Sequence, residues 1–149
     1  MRVIIQRVET AEVSVGGESL GHIGRGLMVL AGFTHGDGAE DISQIADKIV
    51  NLRVFPDETG KMNLSVIDIG GGVLLAPNFT LYGDCRRGRR PSFTAAGAPE
   101  VSSELFDDLV AAIRARGVEC ATGQFGAHMH VSLVNDGPVT LMLDSKGAF

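Results

Sequence analysis

The sequence predicts an α+β domain in which an antiparallel or mixed, barrel-like β-sheet carries two packed helices. Three observations lead there. Only residues 39–51 and 99–117 repeat their apolar side chains at three- and four-residue steps, the spacing of a helix with one buried face. The other apolar runs are short, alternate with polar residues or end in glycine, and read as strands. The resulting order is strands, helix, strands, helix, strands, without the regular β–α–β alternation of a doubly wound sheet.

Each element has its own signal. "RVIIQRVETAEVSV" reads as one long or bent strand, turned at Gly16-Gly17 so that "ESLGHIG" pairs back. "RGLMVLAGFTH" has the continuous apolar run of a strand buried on both faces. Ile42, Ile45, Ala46, Ile49 and Val50 form the buried stripe of the first helix, with Asp37 as its predicted N-cap. "LRVFPDETGKMNLSVID" is strand, turn and a short extended piece, Gly60 supplying the permissive dihedral. "GGVLLAPNFTLYGD" is the next strand, interrupted at Pro77. Val101, Leu105, Leu109, Ala112 and Ile113 line one face of the second helix, which stops at Gly117. "VECATGQFGAHMHVSLVN" and "VTLMLD" read as two final strands with "NDGP" between them. Asp-Gly alone is a hairpin signal; Pro138 stiffens the chain there and removes a donor.

At 149 residues the chain is sized for one domain, residues 1–149. Hydrophobic residues at 44% and charged residues at 21% belong to a globular rather than a disordered chain. No apolar run is long enough to span a bilayer, and Gln6, Arg7 and Glu9 break the N-terminal run before it resembles a secretory signal. A cytoplasmic location is expected. Cys85 and Cys120 stand without a CxxC pair, which leaves zinc unsupported and free thiols expected. A net charge of −5 argues against coating a nucleic acid tract. One basic cluster departs from it: Arg86, Arg87, Arg89 and Arg90 fall within five positions, either to hold one end of a nucleic acid or as a solvated loop.

Common catalytic signatures are missing. There is no GxSxG elbow, no P-loop, and "GHIGRG" does not open a helix. His128 and His130 share a strand face but lack a third ligand, so no metal is assigned. Cys85 lacks an identifiable base, and Asp57 and Glu58 belong to a turn. Two segments remain, "APNFTLYGD" and "NDGPVT", which on spacing alone read as an edge strand and a turn.

A resemblance gives them another meaning. From end to end, "MRVIIQRV", "HGD", "KIVNLRVFPDETGKMN", "NFTLYGD", "GRRPSF" and "TGQFGAHMHVSLVNDGPVT" resemble the D-aminoacyl-tRNA deacylases. The resemblance implies a cofactor-free homodimer that hydrolyses the ester between a D-amino acid and the 3′-terminal adenosine of tRNA. It implies that Pro77, Asn78, Phe79, Thr80 and Leu81 occupy the family's SQFTL segment. Gly137 and Pro138 occupy its Gly-cisPro segment, reaching from one subunit into the pocket of the other. There the two carbonyls would accept from the substrate α-ammonium, and handedness would be judged by where the side chain then points. Backbone N–H groups of Phe79 and Thr80 would hold the oxyanion. Thr80 is either a nucleophile or a residue that shapes the site while the terminal ribose 2′-hydroxyl helps activate water. Phe79, Phe125 and Met129 would wall the pocket, Arg7 would support the partner's Gly-Pro loop, and Arg86, Arg87, Arg89 and Arg90 would meet acceptor-stem phosphates.

Two departures keep alternatives open. Pro77-Asn78 replaces the family's Ser-Gln. The animal-type branch that removes L-alanine from mischarged tRNA shares the proline, carries a trans Gly-Pro, and has alanine where this chain has Phe79. A tRNA-end-binding module without catalysis is a further reading, and a generic esterase a third.

Overall fold

β1 (Arg2–Val15) is shared by three neighbours in the computed structural model, which describes residues 1–149. β3 (Gly26–Gly32) runs antiparallel to its first half and β2 (Glu18–Ile23) to its second half. β8 (His130–Asp144) runs antiparallel along the opposite edge. Beyond β3 the pairing turns parallel, first to β6 (Gly72–Pro77) and then to β7 (Cys120–Thr122). β4 (Phe55–Pro56) and β5 (Met62–Leu64) form a separate small ribbon. The sheet curls until β2 nears β7: a Cβ placed on Gly21 would lie 3.2 Å from both Ala121 Cβ and the Thr122 carbonyl oxygen. The mixed, nearly closed barrel follows the expectation.

α1 (Ala39–Asn51) lies in the crossover from β3 to β6, and α2 (Pro99–Ala115) in the crossover from β6 to β7. Both link parallel strands, so β–α–β units are present where the chain order suggested none. The central strands alternate cleanly. Leu27, Val29, Val73 and Leu75 pack with Ile45, Ile49, Leu109 and Ile113 of the helices. Met28, Leu74 and Ala76 join Val8, Val13 and Ile23 in a second cluster inside the barrel. Each fully buried aliphatic contributes about 1.5–3 kcal/mol, and the two-sided burial read from "RGLMVLAGFTH" is borne out.

Four local expectations are corrected. The strand drawn through Asp84 ends at Pro77, and Phe79–Tyr82 forms a 3₁₀ turn capped by Asn78 Oδ1, which accepts from the Thr80 N–H at 3.3 Å. Asparagine competes for nearby backbone donors in this way and so starts turns. The run from Val118 to Asn135 is not one strand: β7 stops at Thr122, and β8 begins at His130. Asp37 does not cap α1. Its carboxylate accepts from the Thr34 N–H at 2.8 Å, while Gly38 takes the cap position and donates its N–H to Asp41 Oδ2 at 3.0 Å. Finally, "NDGP" is no hairpin. Thr140–Asp144 pairs with Arg2–Gln6 and His130–Asn135 with Val8–Ser14, so both arms follow the same edge of β1 and the segment is a kink within one strand.

Asp41 ties α1 to the chain end, its carboxylate 2.8 Å from Lys146 Nζ. Burial raises its pKa, but hydrogen bonds from Lys146, Ser145 and the Gly38 N–H outweigh that and bring it down to about 2. A depressed carboxylate stabilises the fold above its unfolded pKa of about 4 and loses that contribution as pH falls through the folded value. Urea midpoints of the wild type are therefore expected to drop between about pH 4 and 2. Asp41→Asn should flatten the dependence in this window; an unchanged profile removes Asp41 from it.

Candidate active site

A cavity of about 800 Å³ opens where the parallel strands β3 and β6 end, at Leu30-Ala31 and Ala76-Pro77. Carboxyl ends of parallel strands are the usual place for a ligand in such a sheet. Pro77, Asn78, Phe79 and Thr80 line it, and so do Phe125 and Met129.

The geometry of this wall begins with the Asn78 N–H, which donates to the Ala31 carbonyl at 2.7 Å and carries the β3–β6 pairing one residue past Pro77. Phe79 is 57% exposed and meets Phe93 edge-to-face at 5.1 Å between ring centroids. The Thr80 hydroxyl donates to Asn78 Oδ1 at 2.5 Å. A neutral amide oxygen is no base, so this contact orients the hydroxyl without activating it. No Asp, Glu, Lys or Arg lines the cavity; His128 is its one ionisable side chain, with its ring edge-to-face against His130 at 5.3 Å. No group of three His, Cys, Asp or Glu side chains is arranged to hold a metal. The Thr80 N–H, expected as an oxyanion donor, is already directed to Asn78.

Gly137 and Pro138 do not line this cavity; both are exposed on the kink in β8, joined by a cis peptide bond. Cis is the isomer that the resemblance implies for the D-selective branch. Side chains clamp the kink from behind. Asn135 Nδ2 donates across it to the Arg7 carbonyl at 2.8 Å and the Val139 carbonyl at 3.1 Å. Arg7 Nε donates to the Asp136 carbonyl at 3.0 Å and lies 3.2 Å from its Oδ2, while another guanidinium nitrogen donates to the Val54 carbonyl at 2.5 Å. Gly137 has φ of 138°, and a Cβ there would lie 2.8 Å from Val139 Cγ2, so the position is made for glycine. Arg7 was expected to serve the partner's loop and the substrate. Within its own chain it is buried against the same kink and lies outside the cavity, with three acceptors on Asp136 and Val54.

The arginines divide. Arg86 is bound to Asp84 through Nε at 2.9 Å and Nη2 at 2.7 Å, which holds that carboxylate well below its usual range. Arg87, Arg89 and Arg90 are exposed and form no salt bridge within the chain. Asp84 and Ser92 bridge across the base of the loop, leaving these side chains on a closed projection. Burial pushes the Cys120 thiol up to about 11, so it is inert; Cys85 is exposed.

Sequence reasoning missed several cavity residues. Phe93 appears in "GRRPSF" beside the arginines, and nothing in its spacing joins it to Phe79. Phe33 and Ser102 reach the cavity from the end of β3 and the first turn of α2, a juxtaposition set by tertiary packing. The seat of Met129 was also missed. Its Sδ accepts from the Gln124 N–H at 3.4 Å and occupies space that a Cβ on Gly123 would enter at 2.6 Å. Gly123→Ala is expected to push the thioether towards the cavity and cost about 1–3 kcal/mol, the usual penalty for overpacking. Thermal melts of Gly123→Ala and of Gly123→Ala/Met129→Ala check this, the second recovering the Met129→Ala value.

The pattern of the family described as D-Tyr-tRNA(Tyr) deacylase matches residues 4–144. Among curated relatives, the D-aminoacyl-tRNA deacylase of Thermosipho africanus is 54% identical over the full length of both chains. That of Chloroflexus aurantiacus is 56% identical over 97% of this chain and 91% of the relative. A solved structure described as c-Myc DNA Unwinding Element Binding Protein is 37% identical, covers 97% of this chain and 98% of its own, and superposes with a TM-score of 0.91. The same fold recurs, at 21% identity and a TM-score of 0.83, over 95% of this chain and 97% of a structure described as a probable eukaryotic D-amino acid tRNA deacylase. Matched almost end to end in both sequence and fold, the chain belongs to the D-Tyr-tRNA(Tyr) deacylase family.

Proposed function

We propose that the protein hydrolyses the ester between a D-amino acid, or glycine, and the 3′-terminal adenosine of tRNA, working as a homodimer in the cytoplasm. One observation supports this above the others. Pro77–Thr80 line the main cavity, whereas Gly137-Pro138 stand outside it on a clamped and exposed kink. Two segments that act together but do not meet in one chain fit a site completed by a second copy. In that arrangement the Gly137 and Pro138 carbonyls reach the partner's cavity and accept from the substrate α-ammonium. With ammonium, carbonyl and ribose fixed, a D side chain points to open space and an L side chain into backbone.

The chemistry asks little of side chains. Water attacks the ester carbonyl carbon, and the carbonyl π pair moves onto oxygen. Collapse of the adduct expels the ribose 3′-oxygen, which takes up the proton that water lost and leaves as a hydroxyl. The neighbouring 2′-hydroxyl helps activate the water. The Phe79 N–H holds the developing oxyanion, and one such donor is worth about 10²–10³ in rate. Thr80 shapes the site, its hydroxyl proton resting on Asn78 rather than on a base.

Pro77 favours a second reading, because the L-alanine-specific branch carries proline there; Phe79, where that branch has alanine, argues for D-specificity. Purified protein incubated with D-Tyr-tRNA, L-Tyr-tRNA and L-Ala-tRNA is expected to release D-tyrosine alone. Release of L-alanine supports the other branch, binding without release supports a tRNA-end-binding module, and cleavage of simple esters lacking adenosine indicates a generic esterase. Arg87, Arg89 and Arg90 face the acceptor-stem phosphates in this reading. Replacing Arg89 and Arg90 by Ala should weaken tRNA binding and lower the slope of log K against log salt by about 1–2. An unchanged slope takes both out of the interface.

A further inference from the structure

We infer that the first turn of α2, together with the Ser102 hydroxyl, binds the phosphate that joins the terminal adenosine of the substrate to the nucleotide before it. The inference rests on the reading of the cavity as the seat of that adenosine.

Two independent observations meet at this place. The first is the bare start of the helix. Its first bond runs from the Ser102 N–H to the Ala98 carbonyl at 2.9 Å, no side chain caps the turn, and the N–H groups of Glu100 and Val101 have no acceptor in the chain. Such a terminus carries about half a positive charge and favours an anion. The second is the Ser102 hydroxyl. Ser102 is 6% exposed and lines the cavity, yet its side-chain oxygen makes no hydrogen bond in the chain. No fully enclosed side-chain oxygen or nitrogen of the protein lacks a partner, so this one faces open space, and the space beside it is the cavity.

The surroundings hold the turn in place and keep it open. The Thr34 hydroxyl donates to the Ala95 carbonyl at 2.6 Å and the Gly97 N–H to the Phe33 carbonyl at 2.9 Å, which pins the approach to α2 against the end of β3. A Cβ on Gly97 would lie 2.8 Å from Ser102 Oγ, so glycine leaves the hydroxyl its room. The Glu100 carboxylate is exposed and does not line the cavity.

The chemistry selects the ligand. The two N–H groups can only donate and the hydroxyl can join them, on a cavity wall without Lys or Arg. Such a set repels the substrate's α-ammonium and calls for negative charge. The one anion on a tRNA 3′-terminal adenosine is its 5′-phosphate, a diester whose oxygens accept from all three donors. Held there, the phosphate sets the ribose, and with it the ester, against Pro77–Thr80. A tRNA 3′ end is thereby told from a free nucleoside ester.

The test uses adenosine carrying D-Tyr on a 3′-amide in place of the ester, with and without a 5′-methyl phosphate that reproduces the diester charge. Titration calorimetry of the wild type should show the phosphate form binding about 30-fold tighter, the scale of a hydrogen bond to a charged group. Ser102→Ala removes one oxygen and favours the helix, and it should narrow that ratio about tenfold. Gly97→Ala, whose Cβ displaces the hydroxyl, should narrow it in the same direction and carries the test if the urea midpoint shows Ser102→Ala unfolded. Equal binding of the two probes by the wild type, binding of neither, or an unchanged ratio in the folded variants overturns the phosphate site alone while D-Tyr-tRNA is still hydrolysed. A wild type that binds neither probe and releases no D-tyrosine from D-Tyr-tRNA overturns the reading of the site as well.

Discussion

The guanidinium of Arg7 is the contact on which the rest of the architecture turns. Lodged between β1, the Asp136 carbonyl and the Val54 carbonyl, it closes a gap in the β1–β8 ladder that the Gly-Pro kink opens. Hydrogen bonds to a charged group are each worth about 1.5–3 kcal/mol, enough to keep an irregular segment in one conformation. Asn135 completes the clamp by tying both arms of the kink to one point. An exposed dipeptide held this firmly can present its carbonyls at fixed angles, which recognition by main-chain oxygens demands.

The second rigid part is the parallel β3–β6 pair. Its strands are buried on both faces, and the Asn78 N–H continues its ladder to the edge of the cavity. The turn that follows therefore starts from a fixed base. A site that uses amides rather than ionisable groups gains nothing from tuned pKa values and depends on placement alone. That agrees with the surroundings of Thr80, where the nearest hydrogen-bonding group is a neutral carboxamide.

Much of the fold was legible because it depends on local pattern. The apolar stripe Ile42-Ile45-Ile49 and the run "GLMVLAG" state their burial outright. The parallel crossovers were not legible, since no residue in α1 or α2 reveals which edge of the sheet the next strand will join. The kink in β8 was misread because Asp-Gly between two apolar runs carries the chemistry of a hairpin, and only the long reach of β1 lets both arms pair with one strand. For the site, the family resemblance marked Pro77–Thr80 and Gly137-Pro138. The contacts of Arg7 within its own chain were not legible, because its acceptors lie 47 and 129 positions away. Phe93 and the seat of Met129 depend on contacts that no spacing rule contains.

The outer edge of β8 has a consequence of its own. β8 pairs only with β1, and it exposes Val134 and Met142 on either side of the kink. An uninterrupted edge of fifteen residues would be a ready template for strand-to-strand stacking into fibres. Pro138, lacking an N–H, and the irregular register around it divide that template into two short pieces. The kink that carries Gly137-Pro138 thus also breaks the free edge of β8 into lengths that make a poor template for stacking.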